Sequence, residues 1–137
     1  MATYTKFNCF VENVAEKVHN LGSDTLKVAL TNTAPTASTN TVLADITEIS
    51  YTNCSTRTIT VSSSAQSSGT YSLVTTDLVL TASGGTVGPF RYVVIYNDTP
   101  TSPADPLIAY YDYGSSITLA DTETLTIDFG SSLFTLA

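Results

Sequence analysis

The sequence predicts a mainly β fold of the α+β class, an antiparallel β-sandwich or open barrel with one N-terminal amphipathic helix. Three observations lead there. About seven to nine short segments alternate apolar and polar residues, with Gly, Pro, Asn and Ser turn signals between them. Only the N-terminal segment has a 3.6-residue period, so helix and strands are not interleaved. The 137 residues contain no repeat or linker, which suits one domain over 1–137, with a helix at 5–21 and a β-rich body at 24–137.

The helix comes first. Phe7, Phe10, Val11, Val14, Val18 and Leu21 recur at i, i+3, i+4 and i+7, a stripe about 100° wide. Asn8, Glu12, Glu16, His19 and Asn20 fall on the opposite, polar side. Thr3 or Thr5 supplies the N-terminal cap and Gly22 the left-handed C-terminal one. Phe7, Phe10, Val14 and Val18 are the residues expected to seat this helix on the sheet.

The strands follow. Leu26, Val28 and Leu30 alternate with Lys27, Ala29 and Thr31 as a half-buried strand. Residues 32–41 contain Pro35 and read as a loop; Val42-Leu43-Ala44, Ile46, Ile49 and Tyr51 make a short apolar stretch, and residues 58–61 alternate again. Residues 62–69 are small and polar, a turn or long hairpin tip. Residues 71–82 hold one long strand, or two broken near Thr76-Asp77. The run FRYVVIY at 90–96 reads as a central strand covered on both faces. Pro100, Pro103 and Pro106 make the next segment irregular. A Tyr-rich strand over 107–113, an alternating strand around Leu125, Ile127 and Phe129, and a closing segment at 133–136 complete the sheet.

Composition narrows the function classes. Charged residues are 12% of the chain, against about 25% in typical soluble proteins. Twenty-five Thr and sixteen Ser take their place, so hydroxyls rather than ions cover the surface. A net charge of −7 argues against nucleic acid as a partner, because phosphate binding needs a cationic groove. No apolar run approaches the ~20 residues of a membrane helix, and no basic stretch leads into an apolar signal segment, so neither membrane nor secretory export is expected.

The residues able to carry chemistry are few. His19 is the single histidine, and on the helix's polar face it reads as a solvated or interface residue; no GxSxG elbow accompanies it. Cys9 lies off the apolar stripe, facing solvent or another surface, and ten residues of helix would hold it about 15 Å from His19. Cys9 and Cys54 allow one disulfide by count, yet nothing points to an oxidising compartment, and zinc is excluded by the ligand count. Asp98, Asp105 and Asp112 flank the proline-rich loop and are the candidate oxygen ligands for calcium, although their spacing is not that of an EF-hand. Glu48 and Glu123, with the aspartates, offer no recognisable glycosidase pair. No catalytic residue, cofactor or required metal is expected. The partner-binding candidates are Tyr110, Tyr111 and Asp112, on a strand whose aromatic rings suit a protein interface or a sugar platform.

The segments FNCFVENVAEKVHNLGSDTLKVALTNTAP, FRYVVIYNDT, PLIAYYDYG and ETLTIDF together resemble small virion proteins of tailed bacteriophages, and nearly the whole chain takes part. The resemblance contains no catalytic signature. It implies a structural component, a decoration or cement protein on the outside of the capsid shell. Its partner would be the major capsid protein, its state a homotrimer or dimer, and its location the virion, assembled in the host bacterial cytoplasm. These motifs do not separate a decoration protein from a tail or fibre component, and a glycan-binding adhesion module using the Tyr-rich strand is the alternative from another class.

Overall fold

In the computed structural model, which describes residues 2–137, the N-terminal residues expected to cap a helix instead form a strand. β1 (Thr3–Lys6) is followed by a single α-helix, α1 (Asn8–Ala15), and then by β2 (Leu26–Thr31). The remaining strands are β3 (Thr58–Ile59), β4 (Val61–Ser67), β5 (Thr70–Thr75), β6 (Leu78–Thr81), β7 (Val87–Asn97), β8 (Leu107–Leu119), β9 (Thr124–Ile127) and β10 (Phe134–Leu136). One sheet has the order β1-β8-β7-β2-β3; opposite it lie β10-β5-β4 and the pair β6-β9. Every pairing is antiparallel. The fold is the sandwich-like α+β arrangement that the alternating segments imply.

The helix is shorter than its apolar stripe. Lys17 adopts a left-handed φ of 66°. Around it the Val18 N–H donates to the Asn13 carbonyl (2.9 Å) and the Lys17 N–H to the Val14 carbonyl (3.4 Å). These two bonds form a Schellman closure, which ends α1 well before Gly22. At the other end Thr3, Tyr4 and Thr5 favour a pleated surface, and pairing with β8 decides their conformation. The α1 amide of Asn8 is satisfied by the Ala37 carbonyl at 3.0 Å, so no threonine cap is needed.

β7 runs through the middle of the five-stranded sheet, and residues 92–97 are buried on both faces. Towards the second layer, Val28, Leu30, Phe90, Val93, Ile95 and Ile108 meet Leu73, Leu80 and Ile127 in the main core. On the outer face Phe7, Ala29, Val94, Tyr96 and Leu107 form a smaller cluster, covered by Leu43 and Ile46. This cover corrects the half-buried reading of β2, whose Ala29 and Thr31 have no exposure at all. The stretch 42–51 is not a strand: its one regular turn is a 3-10 turn over Leu43–Asp45, held by the Asp45 carboxylate, which accepts the N–H groups of Thr41 and Val42 (2.9 and 3.3 Å). Polar residues 62–67, read as a tip, are paired strand; the turn is only Ser68-Gly69, both at positive φ. At Gly88, φ is 124° and a Cβ would stand 2.6 Å from the Ile117 carbonyl, so β7 and β8 approach there as only glycine allows.

The two margins of the large sheet differ. β3 pairs only Leu26 and Lys27 of β2. The rest of that margin is filled by side chains and loop. The Tyr51 hydroxyl accepts the Leu30 N–H (2.9 Å), the Leu30 carbonyl accepts the Ile49 N–H (3.0 Å), and Arg57 Nη1 donates to the Val28 carbonyl (2.7 Å). The Arg57 guanidinium also stacks 3.6 Å above the Tyr51 ring. β1, at the other margin, pairs with β8 alone.

Candidate functional site

The tyrosine strand does not present its side chains together. In β8 the register places Tyr110 opposite Val94 and Tyr111 opposite Val93, so the two rings leave on opposite faces. Tyr111 is 8% exposed and packs in the main core against Tyr4 and Phe129, with ring centres 5.4 and 6.2 Å away. Burial pushes its phenol up to about 12. Tyr110 remains half-buried on the outer face, against Phe7 (5.3 Å) and Tyr92 (6.2 Å). Asp112 is held in a two-point contact by Arg91 (2.8 and 3.2 Å) and also accepts the Gly114 N–H. That hydrogen bond from Arg91 lowers the Asp112 pKa. A three-residue platform of Tyr110, Tyr111 and Asp112 is thus ruled out by the strand's own period.

The acidic groups are likewise occupied. Asp98 pairs with Lys27 at 3.2 Å. Asp105, raised by burial and by the nearby Asp98 charge, sits in the irregular loop at positive φ. Asp112 is beside Tyr92 in the ladder, six residues from Asp98 along β7, or about 20 Å. The three candidate calcium ligands therefore do not converge, and no cluster of three or more His, Cys, Asp or Glu side chains suited to a metal occurs among the described residues. Glu48 accepts the Tyr51 hydroxyl and Glu123 the Ala120 N–H, each closing a local turn. Asp24, Asp77, Asp121 and Asp128 also bind backbone N–H groups. These carboxylates serve the turns of a loop-rich sandwich.

His19 is not the solvated helix residue that the sequence suggests. It lies beyond α1, with its ring 5.2 Å from that of Phe10, and its Nδ1 is 3.0 Å from Nδ2 of the fully buried Asn97. Asn97 Nδ2 gives its other hydrogen to Asp24 (2.7 Å), so His19 Nδ1 must act as acceptor and the ring is neutral. Desolvation lowers the His19 pKa, against an upward pull from Asp24. Its Nε2 is buried with no partner. Cys9 meets another surface rather than solvent: its thiol approaches the Asn40, Thr41 and Leu107 carbonyls at 3.7–3.9 Å. Cys54 bridges to Ala82 elsewhere in the fold, and both thiols are free.

The surface feature that the sequence did not disclose is an apolar groove of about 370 Å³. Tyr4 and Lys6 of β1 form one wall, Phe134 and Leu136 of β10 the other, with Phe10 and Val11 of α1 between them. Phe10 and Phe134 meet edge to face at 5.0 Å, so α1 and β10 are in contact within the groove. Of the four large apolar side chains that stand exposed among the described residues, three are here: Tyr4 at 37%, Val11 at 56% and Leu136 at 55%. Val14, also lining the groove, is half-buried and packs against the main core. Tyr4 and Leu136 come from opposite ends of the chain, so only the folded topology shows the patch. A contiguous apolar surface of this kind marks an interaction site, for a protein, a ligand or a lipid surface. No helix among the described residues is long and apolar enough to cross a membrane, which says nothing of a strand-built barrel. No family model matches the chain, and neither does any curated protein or solved structure.

Proposed function

We propose that the chain is a non-enzymatic structural protein of a tailed-phage virion, one that binds the outside of the capsid shell and stabilises it as a decoration or cement protein. The observation that carries this reading is the gathering of Tyr4, Val11 and Leu136 around a single groove, on a surface otherwise dressed with Ser and Thr. A protein that works by contact with other subunits needs such an apolar patch and tolerates a low charge count elsewhere. The turn-closing use of most carboxylates and the pairing of Asp112 with Arg91 leave the contact surface as the feature with most to offer. The major capsid protein is the partner, the protein acts as a homotrimer or dimer, and it joins the virion in the host bacterial cytoplasm.

The test is to mix the purified chain with phage shells that lack it and to image them by electron cryomicroscopy. Regular occupancy of the shell lattice is expected. Attachment to tails or fibres alone would move the protein to that part of the virion. Binding to bacterial polysaccharide and not to shells would replace the reading with a glycan-binding one.

A further inference from the structure

The backbone of β1 adds a second property to the groove. The Phe7 N–H donates to the Ile108 carbonyl at 3.0 Å, continuing a register that sets Lys6 opposite Ala109 and Tyr4 opposite Tyr111. Bonding and non-bonding residues alternate along an antiparallel ladder. Thr3, Thr5 and Phe7 therefore face β8, and the N–H and C=O groups of Tyr4 and Lys6 point out of the sheet's open margin. β10, the other wall, is itself the last strand of its sheet. Apolar side chains and outward backbone groups thus meet in one place, as a strand-accepting site requires.

Charge selects the occupant. Lys6 is the one charged side chain lining the groove, in a chain whose net charge is −7. Pairing β1 with β1 of a second copy about a two-fold axis would set the two Lys6 side chains on one face, roughly 8–9 Å apart. An extended segment carrying a carboxylate opposite Lys6 replaces that repulsion with a local ion pair. We infer that the groove between β1 and β10 receives one extended segment of another polypeptide, added as a strand to β1, with alternate apolar side chains seated on Phe10, Phe134 and Leu136 and an acidic residue beside Lys6. This deepens the docking role proposed above and rests on it only in treating the groove as a protein-binding surface.

Selection from a library of random nonapeptides on the immobilised full chain tests the inference without any shell. Enriched peptides should alternate apolar and polar residues and carry Asp or Glu. Lys6→Glu should turn that preference to Lys or Arg, and Leu136→Asp should cut recovery at least tenfold. Both side chains are exposed, and unchanged thermal unfolding of the two variants shows that the fold is kept. Hydrogen exchange with an enriched peptide bound should slow the Tyr4 and Lys6 amides at least tenfold and leave Thr5 as it was. No enrichment over the Leu136→Asp control overturns the inference. So does enrichment without alternation, or a peptide-free dimer that protects the same two amides. Shells that stay bare while peptides bind would remove the capsid reading alone, and shell binding that ignores Leu136→Asp would remove the groove alone.

Discussion

Tyr4 and Tyr111 face each other across the β1–β8 ladder with ring centres 5.4 Å apart and planes at 64°. One ring is in the core and the other forms the lip of the groove, so the interior and the candidate binding surface share a single aromatic pair.

Truncating the two adjacent tyrosines of β8 should show their unequal burial as unequal losses of stability. Tyr111→Ala removes a buried ring and should cost about 3 kcal/mol in denaturant unfolding. Tyr110→Ala should cost less, because its ring is half-buried on the outer face, away from the groove. Equal destabilisation by the two would contradict their placement on opposite faces.

The helix seat rests on Phe10, which touches both Phe134 and His19. Phe10→Ala should therefore lower stability by about 3 kcal/mol. Val14→Asp should cost less, about 1–3 kcal/mol, because a carboxylate on the groove wall reaches water. Chemical denaturation of both variants checks the order.

Acid should weaken the fold through His19. Its pKa is lowered from 6.5 by desolvation, so the unfolded chain binds the proton more readily than the folded one. Stability is then complete above about pH 6.5 and falls as pH drops below it, while protonated Nδ1 loses the Asn97 hydrogen bond. His19→Gln should flatten the stability profile between about pH 7 and 5. A slope that survives in this variant would point to other groups.

Tyr51→Phe deletes the acceptor for the Leu30 N–H on the margin of β2 and the donor to Glu48. A backbone donor left unpaired costs about 1–3 kcal/mol. Faster exchange of the Leu30 amide should accompany the loss, and thermal unfolding should record it.

Shell attachment should persist in salt near 1 M, where charge interactions are screened within about 3 Å. Surface ion pairs contribute about 0–1 kcal/mol each, and buried aromatic contacts about 2 kcal/mol or more. Lys6 then tunes the choice of segment and supplies little of the affinity. Release at modest salt, measured by co-sedimentation, would show that charge holds the complex.

The residues that declared themselves in the sequence are those whose partners are close in the chain or whose pattern is long. FRYVVIY is uninterrupted enough to mark a central strand, and Phe7, Phe10 and Val14 mark a helix. The helix ends were hidden because Val18 and Leu21 continue its period from outside it, after Lys17 has turned the chain. β1 was hidden because four residues are too few to outweigh the stripe that follows, and only β8 makes them a strand. The outer cover of β2 depends on Leu43 and Ile46, whose spacing says nothing of Ala29. At the candidate site, Tyr110 and Tyr111 were visible as tyrosines but not as inward or outward ones. Leu136 looked like any terminal apolar residue until Tyr4 was placed beside it.

The side-chain closure along β2, with Tyr51 and Arg57 in the place of a neighbouring strand beyond the two residues of β3, gives the large sheet two unlike margins. A sheet open at both margins can join head to tail without limit and make a filament. Here one margin is a four-residue strand, β1, and at the other side chains take over from a strand of only two residues, β3. A fold built this way meets the filament hazard with brevity on one side, where little free backbone is left for a copy to extend.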